Sequence, residues 1–306
     1  MTHTTDISIV IPVYNSAATL NELLREIHDS MNNYSFEVIL VDDGSRDGSW
    51  NVLEHLKKQY VSTVTAVKLS RNSGQHAAII CGIGYAKGKF IVTMDDDLQH
   101  PPKEIPKLIV KQLDSGADVV YGSYIDKRHP YWRNAGSWFV RKSSQVVAGN
   151  TPSGSSFRLI RKEVADHLKG HLHSGFIFID EILHWYTRKI EHVQVEHHER
   201  RKGRSTYTRL KLFNLYMDLL INYTAVPLKI MTWSGFFISA ITFLFGLKFI
   251  YNKIMFGSKP GFTATIVAIL FSTSILVLCM GIIGQYLYKL YLIQNKRPSY
   301  LIEKVI

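Results

Sequence analysis

The sequence has little cysteine, and this limits the chemistry it can support. Its 306 residues include only Cys81 and Cys279. Cys81 lies in a mixed polar and apolar region, whereas Cys279 lies in a long apolar run, so the two thiols are not expected to meet. This excludes a disulfide scaffold and a cysteine-based zinc site. It also agrees with a reducing compartment.

Charge is scarce in residues 226–289, unlike the mixed composition of the first 223 residues. Two stretches there, 230–251 and 262–288, each reach the roughly 20 residues needed to cross the hydrocarbon layer. Lys248 is the one charged residue in either stretch. The intervening residues 252–261 are rich in glycine and proline, so a hairpin of two transmembrane helices is expected. Two buried helices of a soluble domain are disfavoured, because nothing else in the chain is apolar enough to surround them.

Basic residues predict the orientation of this hairpin, because short loops rich in Lys and Arg stay cytoplasmic. The segment RRKGRSTYTRLK, residues 200–211, carries six Lys or Arg residues just before the first stretch. Three more follow the second stretch, whereas the turn between them has two. Both ends, and the domain before them, are therefore expected on the cytoplasmic side of the inner (plasma) membrane. Residues 1–6 are polar and lack the apolar core of a cleavable signal.

The net charge of +11 and the pI of about 9.5 raise the question of a nucleic-acid partner. The basic residues concentrate beside the apolar tail, where each contributes about 1 kcal/mol of attraction to anionic lipid. Membrane lipids and lipid phosphates are therefore the expected partners, and nucleic acid is not. The amphipathic stretch 207–221 is interpreted as an interfacial helix or as a connector packed on the preceding domain.

Strand and helix patterns alternate through the first hundred residues. Short β-branched runs at 7–15, 36–45, 64–69 and 90–94 predict strands, and the segments 17–31, 49–59 and 74–86 predict helices. Continuous apolar strands alternating with helices indicate an α/β domain with a mostly parallel sheet. In such sheets ligands bind beyond the carboxyl ends of the strands.

Acidic residues follow two of these predicted strands. In MDDDLQHPP, residues 94–102, three adjacent carboxylates repel one another unless a cation neutralises them. Asp95 and Asp97 are spaced to bind Mg²⁺ or Mn²⁺ together with ligand phosphates. A solvated acidic turn is the alternative. In VDDGSRDGS, residues 41–49, Asp42 or Asp43 is a candidate for a uracil imide or ribose hydroxyls, whereas Asp47 also suits a helix N-cap.

Several motifs occur together in one order. They are PVYN, VDDGSRDGS, SRNSGQHAAI, DDDLQHPP, GSSFRL and ERRKGRSTY, followed by the two apolar stretches. This order resembles the inverting family-2 glycosyltransferases that act on polyprenyl phosphates, and the resemblance covers nearly the whole chain. In residues 197–231 the likeness is strongest to the undecaprenyl-phosphate aminoarabinose transferases.

The resemblance implies a fold, an activity and a division of the chain. The fold is a GT-A-type Rossmann-like nucleotide-sugar domain in residues 1–206. An amphipathic interfacial helix in 207–225, the transmembrane pair in 226–290 and a cytoplasmic tail in 291–306 would follow. The implied reaction transfers a sugar from a nucleotide diphosphate-sugar, with UDP favoured, to polyprenyl phosphate, with Mg²⁺ or Mn²⁺ as cofactor. The resemblance also implies a homo-oligomer, because tetramers occur among similar proteins.

The resemblance also implies roles for individual residues. The nucleotide would contact Pro12, Tyr14, Asp42, Asp43 and Asp96. The metal would be bound by Asp95 and Asp97, and Gln99 beside them would complete the catalytic set. The lipid phosphate would be bound by Arg141, Ser144, Arg158, Arg201, Lys202 and Ser205.

Two positions depart from the family pattern. Ser16 stands where glutamate is usual after the PVYN strand end, and Tyr124 stands where many members have arginine. Two other functions stay open: a membrane-anchored transferase acting on a lipid-linked saccharide or surface polymer, and a catalytically silent membrane scaffold. Nucleotide binding that depends on a divalent cation distinguishes the scaffold from both transferases.

Overall fold

The computed structural model describes residues 6–123, 155–171, 178–196, 226–256, 261–294 and 298–306. The chain divides into two compact units. The first comprises Met1–Thr206 together with Lys296–Ile306, and the second is Tyr207–Asn295. The last residues of the chain therefore return to the first unit.

The first unit alternates strands and helices. Its described strands are β1 (Ile7–Val13), β2 (Phe36–Asp42), β3 (Val64–Leu69), β4 (Phe90–Thr93), β5 (Val119–Ser123), β6 (Arg158–Arg161), β7 (Ile190–Gln194) and β8 (Ile302–Val305). Its described α-helices are α1 (Leu20–Met31), α2 (Ser49–Gln59), α3 (Gln75–Tyr85), α4 (Ile105–Ser115), α5 (Lys162–Leu168) and α6 (Ile179–Tyr186). Short 3₁₀ turns occur at Pro102–Glu104 and Lys169–His171.

These strands form one sheet in the order β7-β5-β6-β4-β1-β2-β3-β8. The pairs β1–β2, β1–β4, β2–β3 and β5–β7 are parallel, whereas β6 and β8 run antiparallel to their neighbours. The predicted mostly parallel α/β sheet is confirmed. As a result, β1, β2, β3 and β4 end at the same edge of the sheet.

Burial explains why the central strands are so apolar. Every residue of β1 is buried, because helices cover the sheet on both faces. Helix α1 turns one apolar face to the sheet, including Leu23 and Ile27. Helix α3 packs closer still, because a Cβ added at Gly82 would lie 2.4 Å from Cγ1 of Val10. This close packing holds α3 against β1 and β2.

The C-terminal strand β8 is a feature that the sequence analysis does not predict. It pairs antiparallel with β3 and so covers the edge of the sheet. Backbone bonds at both ends extend the pairing, from the Ser70 N–H to the Leu301 carbonyl at 2.9 Å and between Ala66 and Ile306. Part of the expected tail 291–306 is thus a strand of the first unit, whereas residues 291–294 belong to the last helix.

The second unit contains two long helices among its described residues. Helix α7 (Val226–Phe256) has 31 residues and α8 (Phe262–Gln294) has 33, so the two predicted apolar stretches lie within them. Among the residues that the structure describes, one stretch is long and apolar enough to cross a membrane. It is Phe271–Tyr288 in α8, which has a mean hydropathy of 1.5 and no buried residues.

Candidate active site at the carboxyl ends of the strands

The loops that leave β1 and β2 are joined by hydrogen bonds. The backbone N–H of Asn15 donates to Oγ of Ser45 at 3.0 Å, and the N–H of Arg46 donates to Oδ1 of Asn15 at 2.8 Å. Asn15 has a φ of 55°, a left-handed conformation that asparagine tolerates better than most residues. Nearby, the N–H of Ser16 donates to Oγ of Ser49 at 2.9 Å. The two loops therefore form one wall of the strand-end edge.

The adjacent carboxylates Asp42 and Asp43 have different surroundings. Both side chains are buried, Asp42 completely. Asp43 accepts the backbone N–H of Ser73 at 2.6 Å and of Gly74 at 2.9 Å, so both of its oxygens hold the loop after β3. Asp42 accepts the N–H of Ser45 at Oδ1, and its Oδ2 has no hydrogen-bond partner among the described residues. Asp42 is thus the carboxylate with capacity left for a ligand.

Gly44 lets the loops after β2 and β3 approach closely. Its φ is +69°, and an added Cβ would lie 2.8 Å from the backbone carbon of Arg71 and from the nitrogen of Asn72. Only glycine fits both the left-handed conformation and the short contact. The glycine of the VDDGS motif is therefore required by the backbone conformation and by the close contact between these two loops.

The three aspartates after β4 point to different partners. Asp95 accepts hydrogen bonds from Nε2 of Gln75 at 2.5 Å and from Oγ of Ser156 at 2.6 Å. Asp96 accepts the backbone N–H of Tyr14 at 3.2 Å, which connects the loops after β4 and β1. The Tyr14 residue is 48% exposed. The structure thus brings Tyr14, Asp42, Asp43 and Asp95–Asp97 to one edge of the sheet.

Asp97 and Gln99 lie in the turn that follows. Oδ1 of Asp97 accepts the backbone N–H of Gln99 at 3.1 Å, and Leu98 between them has a φ of 59°. Pro12 lies beneath this region in β1, where it pairs with Val41. Proline is tolerated in this central strand because the β1–β4 register ends earlier, at Val10 and Thr93.

Burial shifts Asp42, Asp43 and Asp96 towards their protonated forms. It raises the pKa of Asp42, against the opposing hydrogen bonds from Ser45, and it raises the pKa of Asp43. The pKa of Asp96 rises to about 6, first because of burial and further because Asp95 and Asp97 are close. A compensating positive charge at this edge would therefore favour the ionised forms.

Asp95 and Asp97 suit a divalent cation that prefers oxygen ligands. Both are partly exposed carboxylates at a strand end. Among the described residues no group of three or more His, Cys, Asp or Glu side chains could hold a metal. Two carboxylates with the remaining positions filled by water and phosphate is the usual environment of Mg²⁺. The residues present fit that cation and do not form an all-protein metal cage.

Arg158, a predicted lipid-phosphate residue, is buried in the first unit. Its side chain on β6 is 1% exposed, and it forms an ion pair with Asp180 on α6. Its Nε donates to Oγ1 of Thr93 at 3.1 Å, and Tyr121 donates to the same Asp180 oxygen at 2.8 Å. The guanidinium is therefore held by an internal ion pair, and the binding of a lipid phosphate by Arg158 stays a prediction.

His76 borders the same buried group. The backbone N–H of Ile179 donates to Nδ1 of His76 at 3.5 Å. The ring centroids of His76 and Phe178 lie 4.9 Å apart. Burial, with a further contribution from Arg158, lowers the pKa of His76 to about 4, and Asp180 opposes this only in part. His76 is therefore neutral at physiological pH.

Three polar residues of this edge were not singled out from the sequence: Gln75, Ser156 and Thr93. Gln75 stands inside the SRNSGQHAAI motif, and Ser156 inside GSSFRL, so the motifs held a signal for them. Both Gln75 and Ser156 bond to Asp95, from which they lie 20 and 61 positions away in the chain. Such pairs become evident only when the sheet is assembled.

The remaining predicted residues lie outside the described part of the chain. They are Arg141, Ser144, Arg201, Lys202 and Ser205, and the departure at Tyr124 lies there as well. The other departure, Ser16, is described. Its Oγ lies 3.2 Å from the carbonyl oxygen of Tyr14, and the hydroxyl can donate to Asp96 instead, which lowers the pKa of Asp96 against the effect of burial. Serine at this position thus supports the loop after β4.

Comparison with known proteins agrees with this arrangement. Residues 8–184 match the family model described as Glycosyl transferase family 2. The chain is 36% identical over 307 residues to the undecaprenyl-phosphate 4-deoxy-4-formamido-L-arabinose transferase of Pseudomonas savastanoi pv. phaseolicola, covering 98% of this chain and 90% of that protein. It is 33% identical over 309 residues to the protein of that name from Enterobacter sp. strain 638, with 98% and 93% covered.

Solved structures share the fold. Glucosyl-3-phosphoglycerate synthase from Mycobacterium tuberculosis, crystallised with Mn²⁺, uridine diphosphate and phosphoglyceric acid, superposes with a TM-score of 0.50 at 17% identity. The superposition covers 71% of this chain and 76% of that one. Fold, motif order and identity over nearly the full length agree, and the chain belongs to glycosyl transferase family 2.

Proposed function

We propose that this chain transfers a sugar from a nucleotide diphosphate-sugar to a polyprenyl phosphate at the cytoplasmic face of a membrane. The observation that carries the proposal is the meeting of Asp42, Asp95 and Asp97 at one sheet edge. It occurs in a chain that is similar over 98% of its length to proteins named undecaprenyl-phosphate 4-deoxy-4-formamido-L-arabinose transferase.

The nucleotide is proposed to bind between the loops after β1 and β2. The buried Oδ2 of Asp42 has no partner among the described residues, and an unpaired buried oxygen is costly unless a ligand donates to it. The imide N–H of uracil is such a donor. The half-exposed ring of Tyr14 stands at the start of the same loop, where it can cover the base.

The diphosphate is proposed to bind beside Asp95 and Asp97 through Mg²⁺ or Mn²⁺. When bound, the divalent cation neutralises the phosphate charge that develops as the nucleotide leaves. The two carboxylates hold it at the strand end, and the hydrogen bond from Gln99 orients Asp97. Tyr14 and Asp96 keep the loops after β1 and β4 together.

The acceptor phosphate is already an oxyanion at neutral pH, so the chain needs no strong base to create a nucleophile. Direct attack by this oxygen on the anomeric carbon would invert its configuration. The basic segment 200–205, with Arg201, Lys202 and Ser205, is proposed to bind the phosphate, because arginine offers a planar pair of donors to phosphate oxygens. Helices α7 and α8 are proposed to span the inner membrane and place this segment at its cytoplasmic surface.

The purified full chain in detergent tests this proposal. It would be incubated with undecaprenyl phosphate and a panel of UDP- and GDP-sugars, with Mg²⁺, with Mn²⁺ or with a chelator. We expect a lipid-linked sugar, detected by mass spectrometry, with equal release of nucleotide and with loss of both in the chelator. Asp97→Ala should abolish transfer while the protein stays folded, and Asp114→Ala, an exposed aspartate on α4, serves as the matched control.

Each alternative predicts a different result. Sugar transfer to a lipid-linked saccharide or surface polymer, without transfer to the lipid phosphate, would change the acceptor and leave the donor assignment intact. No cation-dependent nucleotide binding would instead favour the silent scaffold. Unchanged turnover of Asp97→Ala would remove the metal role of this loop.

A further inference from the structure

The carboxylate of Asp95 is held from two sides. Nε2 of Gln75 donates to Oδ1 at 2.5 Å, and Oγ of Ser156 donates to Oδ2 at 2.6 Å. The two donors come from different parts of the fold, since Gln75 is the first residue of α3 and Ser156 precedes β6. Together they fix the rotation of the carboxylate about its last bond.

Ser156 is itself fixed from beneath. Its carbonyl accepts the hydroxyl of Thr93 at 2.7 Å, and Thr93 accepts Nε of Arg158 at 3.1 Å. Thr93 and Arg158 are both almost fully buried, and the ion pair with Asp180 holds Arg158 in turn. A continuous chain of contacts therefore runs from α6 through Arg158, Thr93 and Ser156 to Asp95.

Gln75 is fixed by the turn that precedes it. The backbone N–H groups of Ser73 and Gly74 donate to the two oxygens of the buried Asp43. The turn is therefore anchored to the end of β2, and α3 starts in a defined place. An exposed glutamine can hold a short bond to Asp95 because its backbone has this anchor.

We propose that Gln75 and Ser156 are positioning residues that set the carboxylate of Asp95 for divalent-cation binding. A carboxylate oxygen can accept more than one interaction, so a hydrogen bond to it is compatible with cation binding. Substitution of a residue that orients a metal ligand typically lowers the metal affinity by about 10- to 100-fold. This inference rests on the proposed cation site.

The test measures cation binding directly instead of turnover. Mn²⁺ would be titrated into the full chain in detergent and followed by electron paramagnetic resonance, with UDP or GDP present, whichever the wild-type chain binds. We expect Gln75→Ala and Ser156→Ala each to weaken Mn²⁺ binding by about 10-fold. Ser156→Thr, which keeps the hydroxyl, should retain most of the wild-type affinity.

Matched controls lie far from the site. Gln59→Ala at the exposed end of α2 and Ser30→Ala on α1, whose hydroxyl bonds within its own helix, should bind Mn²⁺ like the wild type. Should Ser156→Ala fail to fold, the exposed Gln75→Ala decides the question. Wild-type affinity in a folded Gln75→Ala or Ser156→Ala would overturn the assignment of that residue. Absence of Mn²⁺ binding in the wild type would instead contradict the proposed cation site.

Discussion

The carboxylate of Asp43 accepts the backbone N–H of Gly74 at 2.9 Å and thereby fastens the end of β2 to the start of α3. Asp42, the residue before it, makes no comparable bond to that loop and keeps one buried oxygen without a partner among the described residues. Two identical neighbouring side chains thus have separable tasks. Asp43 supports the backbone of the site, and Asp42 is available to the ligand.

Substitution of these two residues should separate stability from nucleotide binding. Asp43→Ala leaves two backbone N–H groups unsatisfied and should lower the free energy of unfolding by about 2–4 kcal/mol. Asp42→Asn keeps an acceptor for Ser45 but can present a donor to the imide N–H, so nucleotide affinity should fall by roughly 10-fold or more with little change in stability. Thermal unfolding in detergent and calorimetric titration with the nucleotide measure the two effects.

The opposite pattern would reverse the assignment. If Asp43→Asn lost nucleotide affinity at unchanged stability, and Asp42→Asn bound normally, then Asp43 would be the ligand residue. Asp47→Asn provides a matched control at the same loop, because its carboxylate bonds to Ser49 and to the N–H of Ala17.

The ion pair of Arg158 and Asp180 should behave as a structural pair. Removal of one partner leaves the other charge buried, so Arg158→Met should lower the free energy of unfolding by about 3–5 kcal/mol. The double variant Arg158→Met with Asp180→Asn should lose less than the sum of the single variants, because no uncompensated charge remains. Denaturation of all four proteins in one detergent gives the coupling energy.

A role in lipid-phosphate binding predicts something else for this arginine. In that case Arg158→Met would unfold like the wild type but require more undecaprenyl phosphate for half-maximal turnover. That outcome, with additive single and double variants, would support the lipid-phosphate role implied by the resemblance.

The central fold is predictable because its signals are local. The runs at 36–45 and 64–69 are short, β-branched and bounded by turns, and they became β2 and β3. The helix predicted at 49–59 has the same bounds as α2. Strand β8 gives no such signal, because its four residues set two adjacent charged side chains between two apolar ones, without the alternation typical of a strand. They gain their place only by pairing with β3.

The site divides in the same way. Asp42 and Asp95–Asp97 could be predicted because clustered carboxylates after buried strands are hard to explain by packing alone. The burial of Arg158 could not be predicted, because an arginine in a motif gives no information on burial and its partner Asp180 lies 22 positions away. Ser156 and Gln75 escaped notice because neutral polar residues are common in loops and at helix starts.

Stability should depend on pH through His76. Its pKa is about 4 in the folded chain, against an ordinary value of 6.5, because burial and Arg158 disfavour the charged ring. Between pH 6.5 and pH 4 the unfolded chain therefore binds a proton that the folded chain does not. The free energy of unfolding should fall as the pH falls through this window, by at most about 3 kcal/mol from this residue.

His76→Gln removes the titrating group and should flatten this part of the profile. Thermal midpoints measured at half-unit steps from pH 4 to pH 7 would show the change, and His55→Gln, an exposed histidine on α2, is the matched control. Asp180 and Arg158 face the same ring, so both should be kept intact in this series. Parallel profiles for His76→Gln and the wild type would refute the assignment.

Removal of the C-terminal strand should expose the edge of the sheet. Without residues 298–306, β3 loses its antiparallel partner and the backbone bonds of Ala66 and Ser70. An unpaired edge strand is a template for pairing with another chain. We expect the truncated chain to aggregate on size-exclusion chromatography in detergent and to unfold several degrees below the wild type.

The ion pairs on β8 should matter much less than its backbone. Lys68–Glu303 at 2.7 Å and Lys304–Glu54 at 2.8 Å are partly exposed, and ion pairs of this kind contribute little to stability. The double variant Glu303→Gln with Lys304→Gln should therefore stay monodisperse, with a midpoint close to that of the wild type. If the double variant aggregated and lost thermal stability as much as the truncated chain, the charged side chains and not the strand pairing would protect this edge.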